Sequence, residues 1–408
     1  MITKRRGKGR LLALTAAGAI ASALLLAACG SGTSSADKTA TAAAAAPGPT
    51  TSPAGGATAS APGSASAITP PADVGKKDQA QITGAGSTAL TPFITTIADI
   101  YHKDVAPGVS LNYGSIGSGG GISQFTAKTV DFGASDIYLN DQQIQKAGGA
   151  VLNIPVIHWA VALTYNIPGF SAKLNFSPDT IAGIYLGTIK KWNDPAIQAD
   201  NPGVSLPDLG ITPVHRSDGS GTTMNFTSFL AEVNADWKAK VGAGLSVNWP
   251  GGVGGKGSEG VTAAVTNAPG TIGYVELSYA LQNKLPVASV KNAAGNFIAP
   301  TLASTTAAVA AQVPTAPADL RFLIVNPPAS APTAYPIGAS TWVLLYKDYP
   351  ASKSAEVKAM VDFLWWAIHD GQKYAAQVDY SAMAPNLVQK SEQALKSITI
   401  GGQPALGG

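Results

Sequence analysis

Cysteine occurs once in the 408 residues, at position 29. A disulfide within the chain is thereby excluded, and so is any metal site built from several cysteines. Histidine is scarce as well: His102, His158, His215 and His369 have ordinary neighbours, and no H-E-x-x-H zinc signature occurs. No serine lies in G-x-S-x-G, although Ser87, Ser118 and Ser220 all sit at turns. Charged residues make up only 12% of the chain, and its formal +3 depends on Lys4, Arg5, Arg6, Lys8 and Arg10. With those five set aside the remainder stands at about −2, which argues against a nucleic-acid partner. Any preference for anions must therefore come from local donors rather than from a global positive field.

What is present divides the chain into a leader, a tether and a body. Residues 1–28 carry a basic start and an apolar run from Leu11 to Ala28, a secretion signal that ends in Leu26-Ala27-Ala28-Cys29. Residues 29–80 are mostly Ala, Ser, Thr, Pro and Gly, with too few large apolar side chains to offset the entropy of ordering. At roughly 5–6 Å times the square root of length, such a tether spans on the order of 40 Å. The chain as a whole is 45% hydrophobic and longer than one average domain, which predicts two lobes in the body.

The body is organised around Val214-His215-Arg216-Ser217-Asp218-Gly219-Ser220-Gly221-Thr222. An apolar run from Ile211 delivers an arginine into a glycine-broken turn, and Phe226, Phe229, Leu230 and Val233 then recur with helical spacing. Free N–H groups at the helix start and the planar guanidinium of Arg216 suit a tetrahedral oxyanion, with Asp218 placed to hold the guanidinium. The pattern recurs. Gln81-Ile82-Thr83 feeds Gly84-Ala85-Gly86-Ser87-Thr88-Ala89 ahead of a helix through Leu90, Phe93, Ile94 and Ile97. Val109, Leu111 and Tyr113 lead into Gly114 to Gly121 and a short helix over Ile122 to Lys128, with the Ser118 hydroxyl as a further donor. Asp136 follows the short strand at Val130 to Ser135, where ligands gather in open α/β sheets.

Two glycine-rich stretches fail nucleotide signatures. Gly84 to Ala89 superficially fits a dinucleotide fingerprint, but the next strand ends in no acidic residue. Trp249 to Gly257 approaches a phosphate-binding P-loop, but Pro250 and Gly257 stand where glycine and Ser or Thr are needed, which leaves a rigid or closing loop. Val151 to Ile167 reads as a buried strand crossing between lobes, Ser177 as an N-cap before Pro178, and Thr271 to Glu276 as a return strand. Val357 to Ile368 reads as a packed helix, and the Ala-rich segment 303–318 as a surface insertion.

From about Gln81 onward the sequence resembles the extracytoplasmic phosphate-binding proteins (PstS) of ABC phosphate importers. The resemblance rests on Thr83 to Thr88, Gly117 to Gly120, Val130 to Asp136 and Arg216 to Thr222, with Ile184 to Gly187, Lys191-Trp192, Gly254 to Gly257 and Ile272 to Glu276 in support. It implies an α/β, two-lobed periplasmic-binding-protein (type II) fold with the ligand cleft between lobes. The implied lobes are 81–155 with 275–408, and 156–274, crossing near Pro155 and Val275.

It further implies a phosphate site of Thr88, Ala89, Ser118, Asp136, Arg216, Ser220, Gly221 and Thr222. Asp136 would accept the ligand's proton and Asp218 would support Arg216. Ala89-Leu90 departs from the bulky residue and proline common there in the family. Three helix starts at roughly +0.5 each plus Arg216 would offset the charge of phosphate and of Asp136 to near neutrality. The implied protein is a solute-binding protein, a monomer without cofactor, metal or catalytic residue. Its partners are inorganic phosphate and the permease subunits, with no nucleic acid. Cys29, at the place of a lipobox cysteine, would carry the lipid that anchors it to the membrane outside the cytoplasm. A related oxyanion-binding protein, or a phosphatase or hydrolase on the same fold, is the competing reading.

Overall fold

Strands rich in β-branched and aromatic residues alternate with helical patterns, and that order predicts a largely parallel sheet covered by helices. The computed structural model describes residues 74–406; the leader, Cys29 and the tether as far as residue 73 lie outside the described residues. The first lobe opens with β1 (Ala80–Gly86), α1 (Thr91–Ile100), β2 (Val109–Ser115), α2 (Ser118–Thr126), β3 (Phe132–Ser135) and α3 (Asp141–Ala147). β1 pairs in parallel with β2 and β3. The described residues begin before the expected boundary at residue 80. Val74 packs on the core and Asp78 pairs with Lys358 at 3.0 Å, so the last residues of the expected tether are tied to the body.

β4 (Val151–Tyr165) is the crossing strand, buried from Asn153 onward. Its second-lobe partners arise from a long excursion: β5 (Asn175–Phe176), α4 (Pro178–Tyr185), α5 (Pro195–Asp200), β6 (Thr212–Arg216), α6 (Gly221–Val233), α7 (Ala235–Lys240), β7 (Val253–Gly255), α8 (Gly257–Asn267), β8 (Thr271–Glu276) and α9 (Leu277–Gln282). Ser177 caps α4 as its sequence suggests, accepting from the Thr180 N–H. Trp249 to Gly257 is more than a loop: it contains β7, which pairs in parallel with β6, and it delivers Gly257 to the start of α8.

The chain also stays with the second lobe past Val275. β9 (Ser289–Lys291) pairs with β5 and with β10 (Phe297–Ile298). The Ala-rich segment after it is no surface insertion. It forms α10 (Leu302–Gln312), started by a reciprocal Thr301–Ser304 capping box, and buries Ser304, Thr305, Ala308 and Val309. Small side chains are what let this helix lie close to β4. β11 (Gly338–Tyr346) then returns to the middle of the sheet, and α11 (Ser354–Ile368) buries Trp365 and Trp366 as packing residues.

The sheet order is β2-β1-β3-β11-β4-β8-β6-β7. β11 runs antiparallel between β3 and β4. β4 pairs with β11 as far as Ala160 and with β8 from Val161, so the strand changes partner at Ala160–Val161 rather than near Pro155. One continuous strand thus belongs to both lobes. The turns that follow the parallel strands of each lobe face one another across it, which positions the site.

Candidate functional site

Four strand ends meet where the lobes face. From the first lobe come the turn after β1, the start of α2 and Asp136 after β3; from the second come Arg216 at the end of β6 and the start of α6. The structure brings together every residue expected there: Thr88, Ala89, Ser118, Asp136, Arg216, Ser220, Gly221 and Thr222 are all buried.

Arg216 anchors the second-lobe side. Its Nε and Nη2 donate to Oδ1 and Oδ2 of Asp218 at 2.8 and 2.6 Å, a bidentate fork that leaves Nη1 outside the pair. Asp218 also accepts from the Gly257 N–H at 3.0 Å, which ties the fork to the start of α8. Burial pushes the Asp218 carboxyl up, but the Arg216 guanidinium and the Gly257 N–H together bring it below the ordinary carboxylate range. Behind this pair the Tyr274 hydroxyl accepts from the Arg216 N–H at 3.1 Å, and burial pushes Tyr274 up to about 12.

Ser220 is the N-cap of α6, its hydroxyl oxygen accepting from the Thr223 N–H at 3.1 Å. Gly221 follows because nothing larger fits: a Cβ there would lie 2.5 Å from the Cβ of Asp136 and 2.6 Å from the Ser118 oxygen. Among the described residues Thr222 Oγ1 is buried with no hydrogen-bond partner, an orphan that a native interior rarely keeps without a ligand to serve.

Asp136 is the buried carboxylate of the first-lobe side. Oδ1 accepts from Ser87 at 2.5 Å and from Thr341 at 2.6 Å, while Oδ2 accepts from Ser118 at 3.2 Å. Burial raises its pKa, and the bonds from Ser87 and Thr341, the Arg216 charge and the Ser118 bond only partly offset that rise. Thr88 and Ala89 lie in the turn ahead of α1, which begins at Thr91, so the first helix start is a turn later than their sequence suggests. Thr88 instead meets a helix start from the opposite lobe: its hydroxyl lies 2.9 Å from that of Ser258 and accepts from the Ser258 N–H at 3.2 Å.

The lobes touch at further points. The Gly119 N–H donates to the Gly219 carbonyl at 2.8 Å, Asn225 Nδ2 to the Asp136 carbonyl at 2.8 Å, and the Tyr279 hydroxyl to the Thr88 carbonyl at 2.8 Å. Gly117, at φ +81°, faces Asp218 so closely that no side chain could replace its hydrogen. His215 is turned away from the serines: its ring stacks on Trp249 at 4.7 Å and Nδ1 lies 3.0 Å from the Arg216 carbonyl.

Sequence reasoning missed Ser258, Tyr279, Tyr380 and Thr341. Ser258 was within reach, since β7 and α8 repeat the strand-turn-helix pattern. The others carried no local signal: Tyr380 donates to the Ala89 carbonyl from 291 residues away and Thr341 to Asp136 from 205.

Comparison with known proteins supports one lineage. A model of the PBP superfamily domain matches residues 37–368. The "Phosphate-binding protein PstS" of Xylella fastidiosa (strain Temecula1) is 43% identical over 329 residues, covering 80% of this chain and 88% of its own. Its namesake in Pasteurella multocida is 42% identical, with 78% and 91% covered. Among solved structures, a phosphate-binding protein from Stenotrophomonas maltophilia superposes with a TM-score of 0.59 at 18% identity, covering 78% of this chain and 93% of its own. The fold, the order of the motifs and these relatives agree: the chain belongs to the PBP superfamily and, within it, to the PstS phosphate-binding proteins.

Proposed function

We propose that this protein binds inorganic phosphate between its lobes, outside the cytoplasmic membrane, and hands it to the permease of an ABC importer. The observation that carries the reading is the buried Arg216–Asp218 fork set opposite Asp136, with the Thr222 hydroxyl, unpartnered among the described residues, in the first turn of α6. A cation and two helix starts attract an oxyanion, whereas a carboxylate in the same cage tolerates one only if the ligand brings a proton to share. Phosphate at neutral pH carries that proton, and sulfate does not.

Under this reading the ligands are Thr88, Ala89, Ser118, Asp136, Arg216, Ser220, Gly221 and Thr222, with Asp218 in support. The family resemblance and the relatives' names support binding without catalysis. The leader and Cys29 support export and lipid anchoring of a monomeric body. β4 and the segment leading into β11 are the hinges, and closure around the ligand reports occupancy to the permease.

Calorimetric titration with inorganic phosphate, followed in parallel by tryptophan fluorescence, tests the reading. Saturable binding of one phosphate per chain is the expected result. No heat, no fluorescence change and no phosphate-dependent shift in melting temperature would overturn it.

A further inference from the structure

The polarity of the hydrogen bonds behind Asp136 is fixed by the groups behind them. Thr341 Oγ1 accepts from the indole N–H of Trp159 at 3.0 Å, and an indole can only donate. The single hydroxyl proton of Thr341 is therefore directed at Asp136 Oδ1, 2.6 Å away. Ser87 repeats the arrangement: its oxygen accepts from the Leu90 N–H at 3.3 Å, and its proton goes to the same Oδ1 at 2.5 Å. Oδ1 thus receives two protons and has no place for one of its own. Only Oδ2, with the longer 3.2 Å bond from Ser118, remains open to a proton.

We propose that Ser87 and Thr341, the latter held by Trp159, are positioning residues that set the anion selectivity of this site by confining the one exchangeable proton of Asp136 to Oδ2, the oxygen on the Ser118 side. The inference rests on the phosphate reading above. An ionised Asp136 then accepts from a protonated oxyanion at Oδ2 and rejects an unprotonated one; an Asp136 protonated at Oδ2 donates to either. No bond to phosphorus changes, and the proton stays on the line between Oδ2 and a ligand oxygen. The charged and titratable groups around the carboxylate are Arg216 from the second lobe, Tyr113 from β2 and Tyr380. Burial pushes the two tyrosines up, and it raises the Asp136 carboxyl as well.

Trp159 stands one residue before β4 changes partner, and the β11–β4 register shifts between Thr341 and Trp342. The proton position is thereby built into the strand that joins the lobes.

The test uses the purified full chain in detergent, titrated with phosphate and with sulfate between about pH 5 and 8, the range in which phosphate's second proton leaves. Thr341→Val and Ser87→Ala each remove one donor to Oδ1. Each should lower the phosphate-to-sulfate affinity ratio by about 10-fold or more, the worth of a hydrogen bond to a charged group. Each should also move the onset of sulfate binding to higher pH, whereas Thr341→Ser should stay within about 3-fold of wild type because it keeps the hydroxyl. A purely structural role would weaken both anions alike and leave the pH profile in place, and that result overturns the inference. So does an unchanged ratio in both variants. If Thr341→Val does not fold, Ser87→Ala decides alone. Wild-type protein that binds neither anion would overturn the phosphate reading, and this inference with it.

Discussion

Removing the guanidinium of Arg216 should damage stability and affinity by separable amounts. In Arg216→Ala, Asp218 loses both arms of its fork and keeps only the Gly257 N–H. Breaking a buried pair from one side costs about 3–5 kcal/mol, and the stability loss should fall at or below the low end because the Asp218 side chain remains 15% exposed. The loss in phosphate affinity has a different origin. A desolvated charge facing an anion is worth about 2–5 kcal/mol on truncation, or roughly 30- to 5,000-fold in Kd. Arg216→Lys should recover only part of it, since a point charge cannot hold Asp218 through two parallel bonds and still face a ligand. The double variant Arg216→Ala with Asp218→Ala separates the two effects. Melting in phosphate-free buffer should return toward wild type once neither charge is stranded, while phosphate titration should show no recovery. Near-wild-type affinity in Arg216→Ala, or affinity restored in the double variant, would refute the reasoning.

Thr222→Val should leave the melting temperature unchanged or slightly raised in phosphate-free buffer, because Oγ1 has no partner to lose. It should nevertheless weaken phosphate binding about 10-fold, which calorimetry reads directly. Burial lifts Glu276, at the end of β8, from its ordinary 4.5 to about 8. The folded state holds that proton more tightly than the unfolded chain does, so the group's stabilising contribution is full below about pH 4.5 and lost as pH rises through about 8. Glu276→Gln should flatten the fall in melting temperature over that window, and an unchanged slope would count against it. Cys29→Ser should shift the protein from the membrane fraction to the soluble one with phosphate titration unaltered; intact mass shows whether the wild-type thiol carries lipid.

Much of this arrangement was legible because it is local. The Arg216 turn, the glycine run before α2 and the strand before Asp136 each place a residue by the pattern immediately around it, and the structure sets those residues side by side. What was illegible depends on distant segments. Nothing near Thr341 announces Asp136; the two meet because β11 is threaded between β3 and β4. The Ala-rich α10 read as a surface insertion, yet its small side chains are what allow close packing. The near-miss to a nucleotide loop drew attention to Pro250 and Gly257 and away from Ser258, which closes on Thr88. The chain's late return to the first lobe was hidden in β5, β9 and β10, strands too short to show a period.

The place of β11 in the sheet also dictates an order of assembly. β3 and β4 are made early, and each keeps an open edge until Gly338–Tyr346 arrives roughly 200 residues later to satisfy both at once. Loop closure over that distance costs entropy before β11 gains a ladder bond, so the nascent first half can pair β2, β1 and β3 but cannot join them to β4 until the far end of the chain arrives. Meanwhile Ile154 to Ala160, mostly apolar, is an exposed edge able to pair with a second copy. A chain cut short before Gly338 should therefore aggregate rather than fold as half a protein, and refolding from denaturant should be slow and sensitive to concentration.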